Sequence, residues 1–284
     1  MVRVGQALSP AEAKERDYSG SGFGAIRHWP PLLSTFCGDR LAHLYLILYH
    51  RFNRGQATMA IRPNVLSALR RFTSCDVGDA LVKLGVSQGG YLSGLKMYSP
   101  DFMSPTAKFL GPAYTVKMVH ASDKASPTPK VHFADAIPKD SVVFVSQPKG
   151  LISACWGGLM STRAQKRGAA GVIIDGKFRD INEHRELGMT LFARGISILG
   201  SNTFTRSSEL DVPVIYKNSE NGGQVVINPG DYILGDADGV VVVPPEKAEE
   251  CVQLCQERFE IDEETRRCLE RGDEIGSTIK RLRK

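Results

Sequence analysis

Apolar and polar positions alternate along this chain with three different rhythms, and the rhythm begins in earnest only at about Asn64. Residues 73–85, TSCDVGDALVKLG, place Val77, Ala80, Leu81 and Leu84 at helical spacing behind a hydroxyl or acidic cap, with Gly85 as the stop. Residues 111–119 (GPAYTVKMV) alternate and are rich in β formers, and 140–146 (DSVVFVS) read as a second strand introduced by a Pro-Lys-Asp turn. In GGLMSTRAQKRGAAGVIIDG a glycine pair opens a helix that ends at Arg167–Gly168, and an unbroken apolar strand follows at 171–174. A helix followed by a parallel strand puts the loop ends at a sheet edge, where α/β proteins place ligands. Strands are further expected at 212–216, 223–228 and 239–244, and residues 245–271 read as one long charged helix with Glu246, Glu249 and Glu250 near its positive end.

Residues 1–58 lack such a period. DYSGSGFGAIRHWPPLLSTF mixes Gly, Ser and Pro, and GDRLAHLYLILYHRFNRG at 38–55 is a helical segment with basic flanks. The expected organisation is an irregular extension over 1–58 and one α/β domain over 59–284 that ends in the charged helix. The Gly-Ser-Gly-Phe-Gly run at 20–24 follows no strand, so it is no dinucleotide fingerprint.

The formal charge of +5 changes this picture little, because lysines and arginines are interspersed with acids and read as a solvated surface, not a nucleic-acid site. The longest apolar stretch, Leu41 to Tyr49, is far too short to span a bilayer. Six scattered cysteines form no C-x-x-C pair, and with no secretory signal visible they are expected to be free thiols in the cytoplasm. A mitochondrial presequence is the other reading of the extension, but Glu12, Glu15, Asp17 and Asp39 do not suit an acid-poor transit peptide.

Familiar devices for nucleoside phosphates, zinc proteases and serine hydrolases are missing, and the six histidines are dispersed. What remains is the stretch from Gly157 to Asp180. Gly157 and Gly158 before a helix leave backbone N–H groups open to a small anion, or make a plain tight turn. Asp175 and Gly176 are expected to turn the chain after the strand. Arg179 can then fork a carboxylate or α-keto oxygen, and Asp180 can offer oxygen to a hard divalent ion; a surface ion pair is the plainer alternative. Arg194 reads either as a wall of the site or as a structural partner of an acid. The acids at 260–265 read as a solvated helix face or as groups reaching a neighbouring subunit, and Asp236, Asp238 and Gly239 as a turn in preference to a calcium loop.

WGGLMSTRAQKRGAAGVIIDGKFRD at 156–180 resembles the signature of the RraA-like family. That family includes the class II 4-hydroxy-4-methyl-2-oxoglutarate aldolases, fungal oxaloacetate decarboxylases and the bacterial regulator of ribonuclease activity A. TSCDVGDALVKLG, LGPAYTV, LFARGIS and PGDYILGDADGVVVVP stand in the family's order over most of residues 70–270. The resemblance implies a three-layer swivelling β/β/α fold with a mixed sheet core, assembled as trimers or hexamers with clefts between subunits. It implies that Asp180 binds Mg²⁺ or Mn²⁺ and that Arg179 binds the pyruvoyl part of a small 2-oxo acid. The amides of the Gly157 loop, at Gly158, Leu159 and Met160, would receive the substrate carboxylate. Many bacterial aldolases carry an acid where Gly158 stands, so proton relay has to be arranged differently here. The function expected is metal-dependent carbon–carbon cleavage of 2-oxo diacids, oxaloacetate or 4-hydroxy-4-methyl-2-oxoglutarate. The alternative is a non-catalytic regulator of ribonuclease activity, whose family members lack the aspartate found here at 180.

Overall fold

The structure, a computed structural model, describes residues 63–218 and 220–283. The extension expected over 1–58, its boundary and the helical segment at 38–55 lie outside these residues.

Helix α1 (Pro63–Leu69) leads into α2 (Ser74–Lys83), which forms where its pattern places it. Thr73 Oγ1 accepts the Asp76 amide at 3.2 Å while the Asp76 carboxylate accepts the Thr73 amide at 2.9 Å, a reciprocal cap that satisfies two otherwise orphaned donors. Gly85, at φ +72°, ends the helix. The buried stripe Val77, Ala80 and Leu81 packs on Leu234, Val241 and Val243 of the sheet and on Cys251 and Cys255 of α5 (Ala248–Glu270). The two cysteines therefore serve as small apolar residues on one helix face.

Four strands run parallel in the order β2 (Phe109–His120), β3 (Val142–Ser146), β4 (Gly171–Phe178) and β5 (Leu191–Ile196). β1 (Lys96–Ser99) joins the β5 edge antiparallel. β6 (Thr205–Leu210) and β9 (Tyr232–Asp236) both pair antiparallel with the long β2, and β10 (Gly239–Val243) extends β9, giving a mixed sheet of eight strands. β7 (Val214–Lys217) and β8 (Gln224–Ile227) form a separate hairpin.

The period-two alternation of the parallel strands builds the layers. Val143, Val145, Val172, Ile174, Leu191 and Ala193 face α3 (Gly158–Arg167) and α4 (Ile181–Glu186). Val142, Phe144, Ile173 and Phe192 face the other way, onto Val214, Tyr216, Val225 and Ile227 of the hairpin. Helices, central sheet and hairpin thus stack as the expected β/β/α sandwich, a parallel core covered on both faces. Burying each of these aliphatic side chains contributes about 1.5–3 kcal/mol. None of the described helices is long and apolar enough to cross a membrane.

Two details depart from the sequence pattern. Asp175 and Gly176 make no turn: β4 continues to Phe178, with a register irregularity against β5 between Ile174 and Lys177. The cause is Gln147, buried at the end of β3. Its Oε1 accepts the Lys177 amide at 2.9 Å and its Nε2 donates to the Ser153 carbonyl at 2.9 Å. A side chain at 176 would collide with Gln147, so glycine is required there by close approach. The second departure is at the C-terminus. A short 3₁₀ turn at Pro245–Lys247 precedes α5, and a separate helix α6 (Ile275–Leu282) follows Gly272.

Candidate active site

At the C-terminal end of β4 the segment 154–156 runs alongside 177–179 and carries the chain into α3. The Cys155 amide donates to the Lys177 carbonyl at 2.9 Å and the Arg179 amide to the Trp156 carbonyl at 3.0 Å, around a parallel bridge between Trp156 and Phe178. These bonds bring the glycine pair and the Arg179–Asp180 pair together. Gly157 precedes α3 in an extended conformation and has no side chain with which to cap the helix. The carboxylate of Asp180 does so instead, its Oδ2 accepting the Gly158 amide at 3.1 Å and lying 3.4 Å from Arg179 Nε. A negative group at the first turn of a ten-residue helix is favoured by the helix dipole. Asp180 reaches this position from a left-handed backbone, φ +65° and ψ +47°, which aspartate tolerates better than most residues.

Glycine at 157 follows from the same geometry, since a Cβ there would stand 2.7 Å from Asp180 Oδ2. A Cβ at Gly158 would coincide with the Glu183 side chain of α4. The loop that lacks an acid at 158 therefore has one from the following helix packed against it.

Asp180 and Arg179 open onto a cavity of about 330 Å³, whose near wall includes Gly157, Leu159 and Met160. Gly158 is buried beneath, its amide taken by Asp180. The Met160 amide bonds the Gly157 carbonyl at 3.0 Å, which leaves Leu159 as the loop amide with no acceptor among the described residues. The far wall carries Met118, Ser201, Thr205 and Arg206. Arg206 is occupied elsewhere: its guanidinium donates to the carbonyls of Asp123, Ser126 and Pro127 at 2.7–2.8 Å, pinning that loop. Arg179, by contrast, has both terminal nitrogens free of protein acceptors among the described residues and is half exposed. It is the guanidinium available to an anionic ligand.

Among the described residues no three His, Cys, Asp or Glu cluster as a ready metal cage. Among the described residues Asp180 is the one carboxylate in the cavity wall, and its Oδ1 accepts no hydrogen bond from them while Oδ2 is held. A single oriented carboxylate oxygen suits a hard ion such as Mg²⁺ or Mn²⁺ that keeps most of its waters, and does not suit zinc.

Directly under Asp180 lies a buried polar chain that the sequence pattern did not reveal. Trp156 Nε1 donates to Ser161 Oγ at 2.8 Å, Ser161 Oγ lies 2.8 Å from His184 Nδ1, and His184 Nε2 lies 2.6 Å from the Arg179 carbonyl. Burial pushes the His184 pKa below its ordinary value, so the ring is neutral at neutral pH. Its one legible signal was a histidine on the short helix that directly follows Arg179–Asp180.

Other sequence candidates lie elsewhere. Arg194 is no cavity wall: it pairs with buried Asp175, which also accepts Lys149 Nζ at 2.5 Å, and its guanidinium sits 4.3 Å from the Tyr216 ring centre. In α5, Asp262 is held by Arg258 at 3.0 Å and by Arg283 at 2.7 Å, while Glu263 and Glu264 pair with Arg266 and Arg267. Asp236 closes its turn on the Ser74 hydroxyl at 2.6 Å and the Ser74 amide at 2.7 Å, consistent with a structural turn.

An α/β protein with a mixed sheet thus brings an arginine, a carboxylate and a helix N-terminus to one cavity. Residues 74–242 match the RraA-like family model described as Aldolase/RraA, and the chain belongs to that family. It is 31% identical over 192 residues to protein DlpA of Legionella pneumophila, a match covering 67% of this chain and 29% of that protein. It is 32% identical over 103 residues to the 4-hydroxy-4-methyl-2-oxoglutarate aldolase of Thermus thermophilus, covering 36% of this chain and 58% of the aldolase. Among solved structures, Streptomyces coelicolor RraAS2, described as an unusual member of the RNase ES inhibitor RraA protein family, superimposes with a TM-score of 0.62 at 27% identity, covering 72% of this chain and 98% of RraAS2.

Proposed function

We propose that this protein is a divalent-metal-dependent carbon–carbon lyase for small 2-oxo diacids, decarboxylating oxaloacetate, cleaving 4-hydroxy-4-methyl-2-oxoglutarate, or both, to release pyruvate. The observation that carries the reading is the Asp180 carboxylate, held on the Gly158 amide at 3.1 Å beside the unpaired face of Arg179 in a cavity of about 330 Å³. That volume suits a diacid of four to six carbons.

Breaking the bond between C3 and C4 leaves an electron pair on the three-carbon fragment, as pyruvate enolate. Arg179 binds the 1-carboxylate or 2-oxo oxygen in a fork and stabilises that charge as it forms. The Leu159 amide, at the positive end of α3, holds the carboxylate end still. Asp180 Oδ1 is the ligand for Mg²⁺ or Mn²⁺, which when bound supplies Lewis-acid polarisation of the 2-oxo group. Loss of one such electrostatic contact commonly raises a barrier by roughly 3–4 kcal/mol, a factor of about 10²–10³ in rate.

The cavity suits decarboxylation particularly well. Carbon dioxide leaves without prior deprotonation, whereas the aldol substrate needs a base for its 4-hydroxyl. His132, in the cavity wall, accepts the Ala134 amide on Nδ1 at 3.2 Å, so Nε2 carries the proton and the ring donates to a ligand instead of serving as that base. Assembly as a trimer or hexamer completes the proposal. The likeness to RraAS2 favours a second reading, a non-catalytic partner of ribonuclease; the oriented carboxylate at 180 weighs for the lyase.

The test is pyruvate formation from each diacid by the purified protein. Turnover should require Mg²⁺ or Mn²⁺, stop with chelator, and fall at least about a hundredfold in Arg179→Ala and Asp180→Ala. No metal-stimulated turnover of either diacid by the assembled protein overturns the lyase reading.

A further inference from the structure

We propose that His184, locked by Ser161 and Trp156, is a positioning residue that holds the Arg179–Asp180 peptide in its left-handed turn and so aims the Asp180 carboxylate. The inference rests on the lyase reading for its kinetic consequence, but on geometry alone for the conformation it assigns.

With the ring neutral, the protons of the chain have one consistent arrangement. The Trp156 indole N–H can only donate, so Ser161 Oγ accepts it at 2.8 Å. The Arg179 carbonyl can only accept, so His184 Nε2 carries the proton and donates to it at 2.6 Å. Nδ1 is then bare and accepts the Ser161 hydroxyl at 2.8 Å. Each donor meets an acceptor in a neutral chain, and His184 and Ser161 are both 0% exposed and Trp156 2% exposed, so water cannot replace a lost member. The His184 ring also packs 5.3 Å from that of Phe178, which fixes its plane.

The carbonyl at the end of this chain belongs to the peptide that joins Arg179 to Asp180. Rotation of that peptide is what would carry Asp180 out of its left-handed conformation, φ +65°, into the ordinary regions that an aspartate prefers. Such a flip would swing the carboxylate off the Gly158 amide and away from the cavity. His184 opposes it by holding the carbonyl inward. Ser161 of α3 and Trp156 of the segment leading into it thus reach through a histidine of α4 to set the aim of a group just before that helix.

The test compares wild type with His184→Leu, which removes both hydrogen bonds at similar volume, and His184→Gln, whose side-chain amide can still donate to Arg179. Each protein is crystallised, titrated with Mn²⁺ by electron paramagnetic resonance, and assayed for pyruvate release. In His184→Leu the backbone at Asp180 should relax to negative φ, Mn²⁺ affinity should fall about 10- to 100-fold and kcat should fall with it. His184→Gln should recover most of all three, which a purely packing role would not produce. If His184→Leu fails to fold, Ser161→Ala, which keeps the ring but loses the hydroxyl that fixes its tautomer, should show the same changes in smaller measure. An unchanged left-handed Asp180 and unchanged Mn²⁺ affinity in the folded Leu variant, or in Ser161→Ala if only that folds, overturn the inference. Should wild type turn over neither diacid, the lyase reading fails while the crystal comparison still decides the positioning role.

Discussion

Replacing Gly157 by alanine probes the contact between Gly157 and Asp180. The backbone at 157 is extended, φ −142° and ψ −177°, a conformation alanine adopts without strain. The new methyl carbon would lie 2.7 Å from Asp180 Oδ2 and 3.5 Å from Arg179 Nε. Ordinary carbon–oxygen contact requires about 3.2 Å or more, so the carboxylate has to withdraw by about 0.5 Å. Added to the present 3.1 Å, that takes Oδ2 beyond hydrogen-bond reach of the Gly158 amide. A hydrogen bond to a charged group contributes about 1.5–3 kcal/mol. If that amount reaches the transition state, kcat/KM for oxaloacetate should fall by a factor of about 10–150. Stability should fall by about 1 kcal/mol, because losing the Asp180 cap of α3 costs about 0.5–2 kcal/mol and the restriction of the unfolded chain by alanine offsets only part of that. A coupled assay for pyruvate at saturating Mn²⁺ and a thermal melt measure the two effects. A folded Gly157→Ala protein with kcat/KM within about twofold of wild type would show that the contact between Gly157 and Asp180 has no bearing on catalysis.

Two further outcomes follow from residues outside the cavity. Burial pushes the Asp231 carboxyl up from 3.8 to about 7, against the opposing Asn228 hydrogen bonds. The native state therefore holds a proton that the unfolded chain has released, and this stabilisation, complete below about pH 4, is lost as pH rises through 7. Asp231→Asn should remove that loss, raising stability at pH 8 by at most about 4 kcal/mol and changing it little at pH 4, as read from denaturant unfolding at the two pH values. Arg194→Met should leave buried Asp175 with Lys149 alone and destabilise by about 3 kcal/mol. Turnover by the folded fraction should be unaffected; a folded variant with lost activity and full stability would return Arg194 to the site.

The elements with a clear apolar period were legible because period alone decides them: β2, β3, β10 and α2 stand where their patterns put them, and α5 begins three residues later than its charge pattern suggested. β6, TRSSEL, was not, since its polar residues owe their strand conformation to pairing with β2 and not to burial of an apolar face. Asp175-Gly176 carries the residue signature of a turn, yet a distant glutamine from β3 keeps the chain extended, a tertiary override invisible to local reading. The convergence of Gly157, Gly158, Leu159, Met160, Arg179 and Asp180 was implied by the resemblance of residues 156–180 to the RraA-like signature, whereas spacing alone left a tight turn and a surface ion pair open. That Asp180 itself would occupy the Gly158 amide, and that Trp156, Ser161 and His184 would join beneath it, depends on side-chain directions that spacing does not encode.

The bonds from Cys155 to Lys177 and from Trp156 to Arg179 join the two halves of the near wall main chain to main chain, at 2.9 and 3.0 Å. Such stitching leaves that wall little freedom to breathe. The opposite wall comes from other stretches of chain: Met118 on β2, Thr205 and Arg206 on β6, and Ser201 just before β6. The two walls of the cavity thus belong to different pieces of the polypeptide, so that one can drift in sequence while the other stays put.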